Sequence, residues 1–226
     1  MGVLRGTHLV YKHCQDNKKD FYYIDRPYWG ESRATPYWMR CVKNQHVKTF
    51  VDHRPDDRFK QQFKDEVKTF HKNGTYVLVV PPSHAMAEMF DGKDWLDNTM
   101  KVLKDNTDRE IIVREKPYNP KAVIDGEGKM VPGNSANNKP PKPFEWDKVH
   151  AVVTFNSSIS IKALTNGVPS FANFDNPCMP VCEQDFSKIE TPRYEDPRPV
   201  LHSLAYNQFT QEEFRSGYYM EILDGR

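Results

Sequence analysis

Five residues, Tyr76-Val77-Leu78-Val79-Val80, constrain this chain more than any others. They are apolar at every position, with no face left for water, and Asn73-Gly74 and Pro81-Pro82 close the run at its two ends. A strand of that kind belongs in the middle of a parallel sheet covered by helices on both sides. Asp94 to Lys104 follows, with Leu96, Met100 and Leu103 on one face and Asp94 placed to cap the first turn, which is the pattern of an amphipathic helix. Glu110-Ile111-Ile112-Val113-Arg114 then reads as a second strand, and the helix between the two makes a right-handed βαβ unit.

The pattern repeats downstream. His150-Ala151-Val152-Val153-Thr154-Phe155 reads as another buried strand and runs through Asn156-Ser157-Ser158 into a helix over Ile159 to Thr165. Asn166-Gly167 ends that helix where a left-handed cap is required, and Val168 to Ala172 reads as a last short strand. Residues 116–147 hold six of the seventeen prolines and the stretch Gly133 to Asn138, the composition of a long surface loop. Upstream, His8 to Lys12, Phe21 to Asp25 and Met39 to Lys43 read as strands, and Arg58 to His71 as a helix carrying Phe59, Phe63, Val67 and Phe70. After Pro199 the spacing of Leu201, Leu204, Ala205, Phe209, Phe214 and Tyr218 is helical. The expected fold is therefore α/β, a doubly wound parallel sheet with a reduced N-terminal α/β lobe and a helical C-terminal tail. The expected divisions are 1–75 for the lobe, 76–198 for a Rossmann-like domain and 199–226 for a tail that packs back across both.

Composition narrows the function. The longest apolar run, Tyr76 to Pro82, is far short of the roughly 18 to 20 residues of a bilayer span, and no signal-peptide pattern follows Met1, so the expectation is a soluble, cytoplasmic protein. Cys14, Cys41, Cys178 and Cys182 form no CxxC pair and read as reduced thiols. Over the first 75 residues 15 Lys/Arg face 9 Asp/Glu, a net +6, while the rest carries 17 against 22, a net −5. Rings are interleaved with the basic residues there, including Tyr22, Tyr23, Tyr28, Trp29, Tyr37 and Trp38. That combination suits an anionic or nucleotide partner, and it equally describes a small lobe with a solvated rim.

In an open parallel sheet ligands bind beyond the carboxyl ends of the strands, and three such ends carry polar residues. Asn156, Ser157 and Ser158 offer hydroxyls and backbone N–H groups to a phosphate, or else Ser157 merely caps the helix. Ser83 and His84 follow the paired prolines, with plain exposure the alternative for His84. Arg114 and Lys116 place two cations where a diphosphate is clamped, the alternative being a surface pairing of Arg114 with Glu115 or Asp108. No GxGxxG, GxxxxGK[ST], GxSxG or HExxH occurs, which lowers dehydrogenase, P-loop, hydrolase and metalloprotease readings.

The order strand, helix, Val113-Arg114-Glu115-Lys116-Pro117, strand, Asn156-Ser157-Ser158, helix, Asn166-Gly167-Val168-Pro169-Ser170-Phe171 resembles the donor-binding half of GT-B-type glycosyltransferases, particularly the capsular-polysaccharide-like branch. The chain, with Phe21 to Asp25, Asn106 to Arg109, Asp185 to Glu190 and Leu204-Ala205-Tyr206, is also similar to uncharacterised glycosyltransferase-like proteins of tailed phages. The resemblance implies a nucleotide-sugar donor whose diphosphate rests on Asn156, Ser157 and Ser158, assisted by Arg114 and Lys116, with Ser83 and His84 lining the cleft. It implies no cofactor and no metal, and no DxD triplet occurs. Asp25 is the carboxylate placed to act as base, or a turn cap, and Arg26, Tyr28 and Trp29 are expected on the acceptor side. The acceptor is a glycan or a modified base of phage DNA, in the host cytoplasm, and the oligomeric state is left open. Two other outcomes keep the same fold: a nucleotide-sequestering protein without catalysis, and a nucleotide-sugar epimerase. Members of the family ordinarily have two full lobes, whereas only about 75 residues precede the first clear strand here.

Overall fold

A computed structural model of the chain describes residues 8–29, 36–114, 123–124, 130–131 and 144–225, the side chains of His8, His84, Ala85 and the four residues at 123–124 and 130–131 excepted. The strands are β1 Tyr22–Asp25, β2 Trp38–Lys43, β3 Tyr76–Val80, β4 Glu110–Val113, β5 Val123–Ile124, β6 Met130–Val131, β7 Val149–Thr154, β8 Ser170–Ala172 and β9 Gln208–Thr210. The α-helices are α1 His8–Asp16, α2 Asp57–Gln62, α3 His84–Met89, α4 Trp95–Asn106, α5 Ile159–Thr165, α6 Arg198–Ala205, α7 Gln211–Ser216 and α8 Tyr218–Asp224.

The fold is mixed α/β around a four-stranded parallel sheet ordered β4-β3-β7-β8. As the apolar runs require, β3 and β7 are the two inner strands: Val77, Val79, Ala151, Val152 and Val153 have no exposed area. Their alternate residues feed two cores. Val77, Val79, Ala151 and Val153 meet Leu103 and Trp95 of α4 on one face. Leu78, Val80, Val149 and Val152 meet Ala163 of α5 on the other. Right-handed crossovers produce this arrangement, because β3-α4-β4 runs one way along the sheet and β7-α5-β8 runs the other. The direction of winding therefore reverses between β3 and β7.

Gly167 has φ +73° after α5, as the expected left-handed cap demands, and it also lies where the chain from α2 passes. A Cβ there would come within 2.1 Å of the Thr69 carbonyl oxygen. Gly167→Ala should therefore cost roughly 2 to 3 kcal/mol, the dihedral penalty plus a forced backbone shift, read as a lowered urea midpoint.

The N-terminal third departs from the sequence expectation. His8 to Lys12 is helical rather than extended: α1 turns Tyr11 inward against Phe21 and Tyr23, ring centroids 5.5 and 6.1 Å away, and leaves Leu9 and Val10 exposed. The helix expected over Arg58 to His71 stops at Gln62, and Phe63 is extended. Beyond it, the amides of Lys68 and His71 donate to the carbonyls of Thr165 and Gly167, so hydrogen bonds to the end of α5 replace those of a longer helix. β1 and β2 pair antiparallel as neighbours.

The tail is not wholly helical. β9 pairs antiparallel with β2 and completes a three-stranded sheet with β1, so the segment after Pro199 contributes to the N-terminal sheet. One apolar cluster takes Tyr28, Trp29 and Phe59 from the expected lobe, Ile161 and Leu164 from α5, and Leu201, Leu204 and Ala205 from the tail. Within the expected 116–147 loop, β5 and β6 form an antiparallel ribbon, and most of that segment lies outside the described residues. All four cysteines are free thiols. Among the described residues no helix is long and apolar enough to cross a membrane.

Candidate functional site

The winding reverses between β3 and β7, and in doubly wound sheets the crevice outside the carboxyl ends of the strands at such a reversal is where ligands are accepted. After Val80 the chain passes Pro81 and Pro82 to Ser83, whose ψ of 155° turns it into α3. His84 thus begins a helix rather than lying in a loop, and its side chain is outside the described residues. After Thr154, Phe155 and Asn156-Ser157-Ser158 lead into α5. Thr154 ties the two ends together, its hydroxyl donating to the Val80 carbonyl at 2.7 Å and accepting from the Ser157 amide at 3.3 Å.

Ser157 is engaged within the protein. Its hydroxyl accepts from the Ile159 amide at 3.3 Å, and its carbonyl accepts from the side-chain amide of Asn176 at 3.1 Å. Asn176 is fully buried and organises the turn from the β8 side, with its Oδ1 2.7 Å from Ser160 Oγ and 2.9 Å from the Cys178 nitrogen. The backbone amides of Asn156 and Ser158 donate to no acceptor among the described residues. Two side-chain atoms are more telling. Ser83 Oγ, at the end of β3, and Asn156 Nδ2, at the end of β7, are both buried and lack a hydrogen-bond partner among the described residues. A buried polar group without a partner costs about 1 to 3 kcal/mol, so a pair of them at the two strand ends that flank the reversal calls for a ligand or ordered water.

The other expected site residues are dispersed. The Arg114 amide extends the β4 pairing to Val79, and its guanidinium sits 3.9 Å above the Phe144 ring. Lys116 lies outside the described residues. Asp25 ends β1 with its carboxylate occupied: it accepts from the Arg26 amide at 2.8 Å, Arg40 Nη2 at 3.1 Å and the Tyr23 hydroxyl at 3.2 Å. Tyr28 and Trp29 present no ring to an acceptor, because both are buried, with Trp29 edge-on to Phe59 at 5.5 Å. Burial pushes the Tyr28 hydroxyl up to about 12. Of the acceptor-side trio only Arg26 is exposed.

His46 escapes sequence reasoning. It is 4% exposed, tilted against Phe90 at 4.7 Å and stacked near Phe174 at 6.2 Å, with Tyr11 and Tyr23 edge-on. Burial, with a smaller push from Arg40 against the opposing pull of Asp25, lowers its pKa to about 4 and keeps it neutral. Nothing in the local sequence distinguishes His46, since its neighbours come from α1, β1 and the segments after α3 and β8.

A surface hollow of about 750 Å³ lies elsewhere, beside Lys104 to Arg109 and Glu190. Arg109 there donates to the Gly74 carbonyl at 2.6 Å and pairs with Glu190 at 3.0 Å. Those groups are satisfied, and they stand at the amino ends of β3 and β4, away from the crevice. Among the described residues no three His, Cys, Asp or Glu side chains converge as a metal site. No protein-family model matches the chain, and no curated protein matches it significantly in sequence.

Proposed function

We propose that the chain binds a nucleotide sugar at the crevice between β3 and β7 and transfers the sugar to an acceptor hydroxyl, as a reduced GT-B-like glycosyltransferase. The observation that carries this reading is the pair of buried, unpartnered atoms, Ser83 Oγ and Asn156 Nδ2, on the two strand ends that flank the reversal. Hydrogen-bonding groups held ready without partners are what a polar ligand supplies with partners. The free amides of Asn156 and Ser158 beside them suit phosphate oxygens. The sequence resemblance adds the donor class, a nucleoside diphosphate sugar, and leaves glycan and modified DNA base as acceptors.

The test is a calorimetric screen of UDP-glucose, GDP-mannose and TDP-glucose, followed by release of nucleoside diphosphate with an oligosaccharide or with duplex DNA carrying hydroxymethylated bases. One of the three should bind, and its turnover should need one acceptor. Ser83→Ala should weaken that binding about tenfold while leaving the free protein as stable or slightly more so, because an unsatisfied hydroxyl is removed. Ser83→Ala destabilising the free protein by more than about 1 kcal/mol would mark the hydroxyl as structural. Absence of binding by all three would remove the transferase reading.

A further inference from the structure

We propose that His46, oriented by Asp175, takes the proton of the acceptor hydroxyl during transfer, the role expected of Asp25 from the sequence. The inference rests on the transferase reading and names its acid–base group.

Geometry sets the two candidates apart. Each oxygen of the Asp25 carboxylate already accepts at least one hydrogen bond, and its partners include the Arg40 guanidinium. The two ring nitrogens of His46 differ: Nδ1 faces Asp175 Oδ2 at 3.9 Å, whereas Nε2 is buried without a partner among the described residues. A carboxylate behind one nitrogen favours the tautomer with its proton on Nδ1, which leaves the Nε2 lone pair to accept. The 3.9 Å separation is longer than a hydrogen bond, as is common for catalytic pairs before substrate arrives.

Packed rings and chain neighbours connect the pair to the ends of β3 and β7. Phe155, which ends the β7 segment, stacks on Phe174 at 4.4 Å with planes 6° apart. Asp175 is the next residue, and Asn176 after it holds the Ser157 carbonyl. Phe90, the ring closest to the imidazole, ends the helix that Ser83 opens. His46 is thus linked through Phe174 to Phe155, which follows β7, and through Phe90 to the far end of the helix that follows β3. Nε2 is covered in the unliganded chain, so the acceptor must displace part of that aromatic cover, which also excludes water from the reacting centre.

The step balances without a further reagent. The acceptor oxygen bonds to the anomeric carbon as its proton passes to Nε2, and the bond from that carbon to the diphosphate oxygen breaks with its electron pair leaving on the diphosphate. The imidazolium so formed faces the Asp175 carboxylate. A group with a pKa of about 4 is unprotonated across the physiological range, as a carboxylate base is. Burial first, then Arg40 and Asp25, set its titration, and Asp175 and the rings of Tyr11 and Tyr23 also face the imidazole.

His46→Gln should lower kcat by about 10² to 10⁴ with whichever of UDP-glucose, GDP-mannose or TDP-glucose is turned over, while the dissociation constant of the matching nucleoside diphosphate stays within about twofold. Should His46→Gln fail to fold, Asp175→Asn decides the matter, because that carboxylate is 58% exposed and its loss leaves the core intact. It should reduce kcat about tenfold or more. In ¹⁵N-histidine spectra it should also shift the tautomer of His46, a change that a purely structural aspartate would not cause. Full turnover by His46→Gln, a wild-type His46 protonated on Nε2 at pH 7, or nucleotide binding without any turnover each overturns the proposal. Failure of the wild-type chain to bind any of the three nucleotides instead removes the transferase reading, and this proposal goes with it.

Discussion

Arg58→Ala is expected to destabilise the folded chain by roughly 3 to 5 kcal/mol, close to the whole margin of a marginally stable domain. The guanidinium is almost wholly buried and joins α2 to three pieces of the tail. Nη1 donates to Glu213 at 2.6 Å, Nη2 to the Gln208 carbonyl at 2.6 Å and Nε to the Ala205 carbonyl at 3.4 Å. Trp38, Tyr206, Phe209 and Tyr218 surround it with ring centroids 5.4 to 5.7 Å away. Truncation removes a donor from the Glu213 carboxylate, which keeps the Thr210 amide, and from the Gln208 and Ala205 carbonyls, the latter still held by Gln62 Nε2. Water replaces that donor poorly in this setting, which is why the cost exceeds that of an exposed ion pair. Arg58→Lys should recover less than half, because a lysine keeps the charge and loses the planar fork that reaches Glu213 and Gln208 together. Urea unfolding gives both values; a loss below about 1 kcal/mol for Arg58→Ala would show that the tail is held by its apolar contacts alone.

The same region shows where sequence reasoning stops. β3 and β7 are legible because burial on both faces removes the period and leaves an unbroken apolar run, which few other elements produce. Gly167 is legible because a left-handed turn leaves few alternatives to glycine. β9 is not: Gln208-Phe209-Thr210 is extended because β2 offers it a ladder and Arg58 holds the Gln208 carbonyl, neither of which lies nearby in sequence. Arg58 to His71 carries helical spacing, yet the free carbonyls at the end of α5 compete for its amides. The site divides in the same way. Polar residues after a buried strand can be read directly, so the Asn156 turn was expected. The inward turn of Tyr11, the placing of His46 beside Asp175 and the bond from Asn176 to Ser157 arise only from tertiary packing.

That packing makes the chain sensitive to acid in a way that one ring reports. The unfolded chain protonates His46 near 6.5, and the folded chain, in which burial opposes the charge, does so only at about 4. Above pH 6.5 both states are neutral there and the group has no effect on stability. Between 6.5 and 4 the unfolded state binds a proton that the folded state refuses, so stability falls as pH falls, by about 1.4 kcal/mol per pH unit and roughly 3 kcal/mol in all. Below 4 both states are protonated and the loss stops growing. His46→Phe isolates this effect, because a phenyl ring fits among Tyr11, Tyr23, Phe90 and Phe174 and does not titrate. In urea unfolding at pH 7 and pH 4.5, the stability difference between variant and wild type should move by about 2.5 kcal/mol in favour of phenylalanine at the lower pH. Titration of groups other than His46 is largely common to the two proteins and cancels in the comparison. A difference that does not change with pH would mean that His46 titrates as a solvated imidazole, with its ring open to water. The expected result has a structural consequence as well. His46 joins the antiparallel sheet to the segments beyond β3 and β8, so acid should loosen that junction, and with it the crevice, before the parallel sheet itself gives way.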